Sequence, residues 1–168
     1  MGIEIERKYL IKYPTGLELA TYCDRIIEIT QTYLKSDEDV DRRVRLSAEG
    51  GKITYTYTVK TYLPGIARNE DEREITEEEY RALLLEADEE FNPINKIRYC
   101  IPMDDGHVAE VDIYQKIKEF AICEVELHDE KEQPYLPACL TPICEVTGNR
   151  HYSNRAFAKK KNIFKKGE

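Results

Sequence analysis

Glu4-Ile5-Glu6-Arg7-Lys8 sets three charged side chains two apart, with Ile5 between the first pair. Side chains two apart on a β-strand point to the same face, so the stretch reads as a strand with one charged and one apolar face. The spacing returns in Arg43-Val44-Arg45, Glu70-Asp71-Glu72-Arg73-Glu74, Lys96-Ile97-Arg98, Glu110-Val111-Asp112 and Glu124-Val125-Glu126. In all but 70–74 an apolar residue separates a pair and faces the other way. One such pair is what any antiparallel sheet with a wet face displays. Six of them, with the signs of charge largely sorted strand by strand, are different. Like charges two apart repel, and a solvated surface gives no reason to sort them. The apolar partners Ile3, Ile5, Val44, Ile97, Val111 and Val125 are expected to pack beneath helices, which turns the charged faces toward one another.

The segments between fill in the architecture. Lys52–Tyr62 alternates Ile53, Tyr55, Tyr57 and Val59 with Thr54, Thr56, Thr58 and Lys60, a strongly β-forming run. Strands are expected over residues 2–12, Gln31–Leu34, Val40–Ser47, Lys52–Tyr62, Ala67–Ile75, Asn92–Pro102, Gly106–Gln115 and Phe120–Leu127. Glu49-Gly50-Gly51 and Asp104-Asp105-Gly106 are hairpin turns. Leu19, Ala20, Cys23, Ile26 and Ile27 recur at helical spacing, predicting a helix from Leu17 to about Ile27. Thr76-Glu77-Glu78-Glu79 has the form of a capping box for a second helix with Tyr80, Leu83, Leu84 and Ala87 on its buried stripe. Pro134–Pro142 is a loop or a short interrupted helix, and Tyr152–Lys161 a last helix. Eight strands joined mostly by hairpin-length turns give an α+β protein. They suffice for a closed antiparallel eight-stranded β-barrel with a few helices packed outside, its lumen polar along the charged faces. Residues 1–168 are expected to form one domain.

Composition narrows the partners. Of 168 residues, 41% are hydrophobic and 35% charged, with a formal net charge of −8. That balance argues against nucleic acid but not against an anionic ligand held by a local cluster of cations. No apolar run approaches a membrane span, and the N-terminus runs straight into a charged strand with no signal peptide, so a cytoplasmic location is expected. Cys23, Cys100, Cys123, Cys139 and Cys144 are odd in number and include no CxxC, which favours reduced thiols over disulfides or zinc. His107 and His128 read as turn or surface residues, and Lys159–Lys166 as a solvated helix end.

Glu4, Glu6, Glu124 and Glu126 offer oxygen ligands to a hard cation such as Mg²⁺ or Mn²⁺. Lys8, Arg43, Arg45, Lys60, Lys96 and Arg98 exceed the need of one phosphate and suit a chain of them.

At this point the sequence resembles the CYTH superfamily, the triphosphate tunnel metalloenzymes. Glu4–Lys8 is similar to the ExExK signature, and Gln31-Thr32-Tyr33-Leu34, Arg43-Val44-Arg45, Thr58-Val59-Lys60, Glu70–Glu74, Lys96-Ile97-Arg98, Val111-Asp112 and Glu124–Leu127 follow in the family's order. The resemblance spans about residues 2–158. It implies an eight-stranded tunnel, a triphosphate substrate and Mg²⁺ or Mn²⁺. Glu4, Glu6, Glu124 and Glu126 would be metal carboxylates, and Lys8, Arg43, Arg45, Lys60, Lys96 and Arg98 would hold phosphates. Asp112, with one or two of Glu70, Glu72 and Glu74, would bind a second metal or orient water, and Arg68 would face the lumen. Lys8, Glu70 and Glu72 are the catalytic candidates. Similar proteins carry Arg directly before Tyr-Ser-Asn of the last helix; here His151 stands there and Arg150 is shifted by one, which leaves the phosphate role to Arg150 or His151. The implied reaction is metal-dependent hydrolysis of the terminal phosphoanhydride, with inorganic tripolyphosphate as substrate. The alternatives are an adenylate cyclase, a thiamine or nucleoside triphosphatase, and a non-catalytic polyphosphate-binding module. Beyond the small triphosphate the expected partners are no nucleic acid and no membrane, with a homodimer left open.

Overall fold

The computed structural model describes residues 2–161, so the end of the basic tail lies outside the described residues. In chain order the elements are β1 (Gly2–Lys12), α1 (Gly16–Tyr22), β2 (Arg25–Leu34), β3 (Val40–Glu49), β4 (Lys52–Tyr62), β5 (Ala67–Ile75), α2 (Glu77–Leu83), β6 (Ile94–Pro102), β7 (Val108–Tyr114), β8 (Phe120–Glu126), β9 (Pro142–Glu145) and α3 (Asn154–Ala158). The strands are ordered β5-β4-β3-β2-β6-β7-β8-β1-β9, and a further β5–β1 pairing closes the first eight into an antiparallel barrel. β1 is the seam. Its first residues pair with β5 (Gly2 opposite Glu70, Ile5 opposite Ala67). Glu6 to Lys12 pair with β8, placing Glu6 opposite Glu126 and Lys8 opposite Glu124. β9 joins β1 at Tyr9 to Ile11.

Local chemistry fixes the punctuation. Gly50 and Gly51 both take positive φ (56° and 80°), which the tight β3–β4 hairpin requires. Thr76 and Glu79 form the expected capping box on α2, and Thr15 and Glu18 form a second one on α1. α1 ends at Tyr22, well short of the helix predicted to about Ile27. Ile26 and Ile27 belong to β2, where Ile27 lies opposite Arg98. A run of β-branched residues with a ready antiparallel partner outweighs helical spacing. The last helix is likewise shorter, Asn154–Ala158, capped by Ser153, whose hydroxyl accepts from Ala156 N. Residues 134–141 contain no helix, and β9 was not foreseen.

The core has three parts. Outside the barrel, Val111, Val125 and Cys123 pack against Leu19 of α1 and against Leu127 and Leu140, which flank the loop after β8. On the opposite side Val44 and Leu34 pack beneath Tyr80 of α2. Ile3 departs from the expected covered face and is 68% exposed. The third part is a correction to the polar lumen: Tyr33, Ile94, Tyr114, Phe120 and Ile122 point inward at one end and meet Phe157 and Ala158 of α3. The C-terminal segment thus stoppers the barrel with an apolar plug.

His107 is neither free nor a plain turn residue. Its Nδ1 lies 3.0 Å from Asp105 and its Nε2 2.9 Å from Glu132, with the His128 ring 5.7 Å away. Glu132 also accepts from the backbone N–H groups of His128 and Asp129. The loop after β8 is thereby tied to the β6–β7 hairpin.

Two outcomes follow. Phe157→Ala should cost roughly 3–5 kcal/mol, read as a drop in the urea midpoint. Asp105, then burial against it, then Glu132 set the His107 pKa, and the carboxylates win: it is raised above 6.5. Its stabilisation is therefore complete below pH 6.5 and disappears as pH rises through the raised folded value. The melting-temperature gap between the native chain and His107→Gln should narrow on that upward titration; a constant gap would contradict it.

Candidate active site

Period two decides what the lumen holds. β1 contributes Glu4, Glu6 and Lys8, β3 Asp41, Arg43 and Arg45, β4 Lys60 and Tyr62, β5 Arg68, Glu70 and Glu72, β6 Arg98, β7 Glu110, and β8 Glu124 and Glu126. With Arg150, Asn154 and Arg155 they line a cavity of about 230 Å³. Eight carboxylates and eight guanidinium or ammonium groups face this one space. A second cavity of about 330 Å³ continues from it past Arg45, Glu72 and Arg98 toward the β3–β4 hairpin. Ile27, Ile29, Ser47, Thr54 and Thr56 are among its walls, and no aromatic ring is among its lining residues.

The cations are held by neighbouring strands. Lys60 Nζ lies 2.6 Å from Glu4 Oε2 and 3.2 Å from Glu70 Oε2. Both of those oxygens are buried and neither accepts a hydrogen bond of good geometry. Lys8 Nζ lies 3.4 Å from Glu124 and 3.8 Å from Glu6, and donates to Tyr152 O at 3.4 Å. Burial opposes its charge, but Glu124 and Glu6 outweigh burial and raise its pKa. Asp112 is fully buried behind the lumen, where Lys96 and Arg98 both donate to it at 2.5–2.9 Å. Arg98 also donates to Glu110 at 2.5 Å. Lys96 shares Asp112 with Arg98. Burial, which that half-share does not offset, pushes Lys96 down to about 8. Arg98 keeps its charge.

The four carboxylates expected at a metal sit side by side on β1 and β8, and Glu6 lies directly opposite Glu126. Like charges so placed are destabilising. Burial, and then repulsion from Glu124, raises Glu6 to about 8, while Glu124 stays ionised against Lys8 and Arg98. Among the described residues no three such groups converge at ligand distance, because Lys8 and Lys60 occupy the space between them. The donor set is nonetheless all oxygen, crowded and short of positive charge at Glu6, which fits a hard divalent cation.

Of the three in-phase glutamates of β5, Glu70 and Glu72 line the lumen, and Glu72 accepts from Thr58 Oγ1 at 2.8 Å; Glu74 is not among the lining residues. Arg68 lines the rim as expected. Arg150 lies over the Tyr62 ring at 4.6 Å and Arg68 over the same ring at 4.8 Å, whereas His151 donates its backbone N–H to Asn149 and does not line the cavity. Several residues of the lumen wall carry no role in the charge pattern alone. Arg155 bonds Asp41 at 2.6 Å, and Tyr62 Oη donates to the same carboxylate at 2.8 Å. Asn154 Oδ1 accepts from Lys96 and Tyr114. Glu110, quoted in the charge pattern, holds Arg98. Gln31 is fully buried on β2 beside Arg45. Gln31 was within reach of the strand pattern, since it shares a face with Tyr33 and lies opposite Arg45.

No family model matches the chain, and no curated protein matches it. Solved structures do. The inorganic triphosphatase NE1496 matches at 24% identity and TM-score 0.57, covering 96% of this chain and 98% of that one. PH1819 from Pyrococcus horikoshii OT3 matches at 21% identity and TM-score 0.61, covering 76% and 80%. HpAC1 from Hippeastrum, an adenylyl cyclase candidate described as revealing a dominant triphosphatase activity, matches at 13% identity and TM-score 0.53, covering 77% and 80%.

The buried Lys96–Asp112–Arg98 cluster gives a direct test. Asp112→Asn leaves the buried Lys96 without its counter-charge and Arg98 with Glu110 alone, and should cost roughly 3–5 kcal/mol by urea denaturation. A loss below about 1 kcal/mol would mean that the cluster is solvated.

Proposed function

We propose that this chain, which has the fold of the CYTH superfamily of triphosphate tunnel metalloenzymes, is a metal-dependent triphosphatase acting on inorganic tripolyphosphate. One observation carries the reading: the lumen matches eight acidic side chains with eight basic ones. A balanced cavity gains little from a bare polyanion. A polyanion that arrives with divalent cations satisfies both halves, phosphates on the cationic groups and cations on the carboxylates. Glu4, Glu6, Glu124 and Glu126 would hold the metal, while Asp112, which Lys96 and Arg98 already hold, would fix those two cations. Bound there, Mg²⁺ or Mn²⁺ supplies charge neutralisation at phosphate oxygens.

The chain's own groups do the rest. Lys8, Arg43, Arg45, Lys60 and Arg98 fix the phosphates in line, with Lys96 behind them and Arg150 at the rim. Glu70 and Glu72 orient the attacking water toward the terminal phosphorus. The new P–O bond forms as the anhydride P–O bond breaks, releasing orthophosphate and pyrophosphate. Two features favour an inorganic substrate. The second cavity offers no ring for a base to stack on. In the first cavity, both aromatic rings are engaged: Tyr33 Oη accepts from Gln31, and Tyr62 carries two guanidinium groups. The NE1496 and HpAC1 structures, both described as triphosphatases, support the reaction class.

A phosphate-release panel over tripolyphosphate, ATP, GTP and thiamine triphosphate, with each metal, tests the reading. Tripolyphosphate should turn over, chelation should stop it, and Mg²⁺ or Mn²⁺ should restore it. Cyclic AMP with pyrophosphate from ATP would sink the hydrolase in favour of a cyclase, and tight binding of intact tripolyphosphate would leave only a binding module. Glu6→Gln should lower turnover at least about a hundredfold, the scale of losing one preorganised electrostatic group, with the far-ultraviolet dichroism unchanged.

A further inference from the structure

The lumen's cations are not held alike. Lys8, Lys60, Lys96, Arg98 and Arg155 each sit on a carboxylate. Arg45 does not. Its Nε and Nη2 both donate to a single neutral acceptor, Gln31 Oε1, at 3.3 and 3.0 Å. Gln31 itself is fully buried and donates through Nε2 to Tyr33 Oη at 3.0 Å. Arginine has no acceptor, so the amide oxygen must face Arg45 and the nitrogen must face Tyr33; its orientation is forced.

We infer that Gln31 is a positioning residue for Arg45: its neutral amide fixes the guanidinium in the lumen without cancelling its charge, so that a phosphate meets a cation already aimed and not yet neutralised. The inference rests on the triphosphatase reading. A carboxylate at position 31 would hold Arg45 more firmly, as a bidentate ion pair, and the substrate would then have to compete with it. A surface cation can rely on water. Arg45 cannot: burial, then Arg43, then Arg98 disfavour its charge and push it down to about 10, and Glu72 and Asp112 offset only part of that. Three cationic groups thus bear on one region of the wall. Arg43 adds to the shortage, since its Nε is buried and lacks a hydrogen-bond partner among the described residues. An arriving phosphate relieves what the amide leaves open.

The test compares Gln31→Glu with Gln31→Met in the full chain, using inorganic tripolyphosphate with Mn²⁺ or Mg²⁺. Gln31→Glu keeps the acceptor, so it should melt at or above the native temperature, yet its KM should rise at least tenfold with a smaller change in kcat. Gln31→Met keeps the charge of Arg45 but loses the tie, so its kcat should fall several-fold while KM changes less than in the glutamate variant. A purely structural role for Gln31 predicts the reverse order, with Gln31→Glu benign. A folded Gln31→Glu with native KM overturns the inference, as does a Gln31→Met with native kcat. If the native chain neither binds nor cleaves tripolyphosphate, the triphosphatase reading falls and this inference with it. Native turnover with an indifferent position 31 overturns this inference alone.

Discussion

A barrel that turns charge inward has to balance that charge locally, because its wall keeps bulk water and counter-ions at a distance. Here the balance is struck between neighbouring strands. Lys96 and Arg98 of β6 meet Asp112 and Glu110 of β7, Lys8 of β1 meets Glu124 of β8, and Lys60 of β4 meets Glu70 of β5 and Glu4 of β1. A one-residue slip of any strand would send its inward charges to the apolar exterior and strand their partners. Register and electroneutrality therefore specify one another, and the closure of β1 on β5 completes both.

Stability and chemistry are divided between regions. Buried ion pairs contribute little net stability, since desolvation consumes most of the attraction. The folding free energy comes instead from the two apolar clusters outside the wall and from the plug of Phe157, Phe120 and Tyr114 at one end. The remaining length of the lumen is then free to hold strained charge: Glu6 crowded by Glu124, Lys96 with half a carboxylate, Arg45 on a neutral amide. Such groups are poised to exchange partners when a polyanion and its cations arrive.

The sequence made the lumen legible because strand alternation is a local code. Glu4-Ile5-Glu6 declares its two faces without help from the rest of the chain, and the same is true of Arg43-Val44-Arg45 and Glu124-Val125-Glu126. What it hid depends on encounters between distant segments. Nothing near Phe157 says that it fills a barrel end, and nothing near Asp112 says whether a metal or Lys96 and Arg98 will claim it. β9 is short, wholly exposed and Pro-led, so its place beside β1 is set by docking and not by propensity. Ile26 and Ile27 had helical spacing by coincidence, and only pairing with β6 decides against it. Glu74 is in phase with Glu70 and Glu72 yet is exposed and outside the lining, which alternation alone does not decide.

The seam strand has a consequence for how the molecule is made. β1 precedes every other strand of the barrel in chain order, yet Glu6 pairs with Glu126 and Tyr9 with both Cys123 and Glu145. Its partners on β8 and β9 are more than a hundred residues away, while β2, β3, β4 and β5 can assemble as successive hairpins. Contacts of such long range form slowly. The strand that completes the lumen is thus among the last to settle, and during that wait its alternating charges keep it from pairing with other chains. The residues that give β1 its place in the site are the same ones that keep it solvated until the site exists.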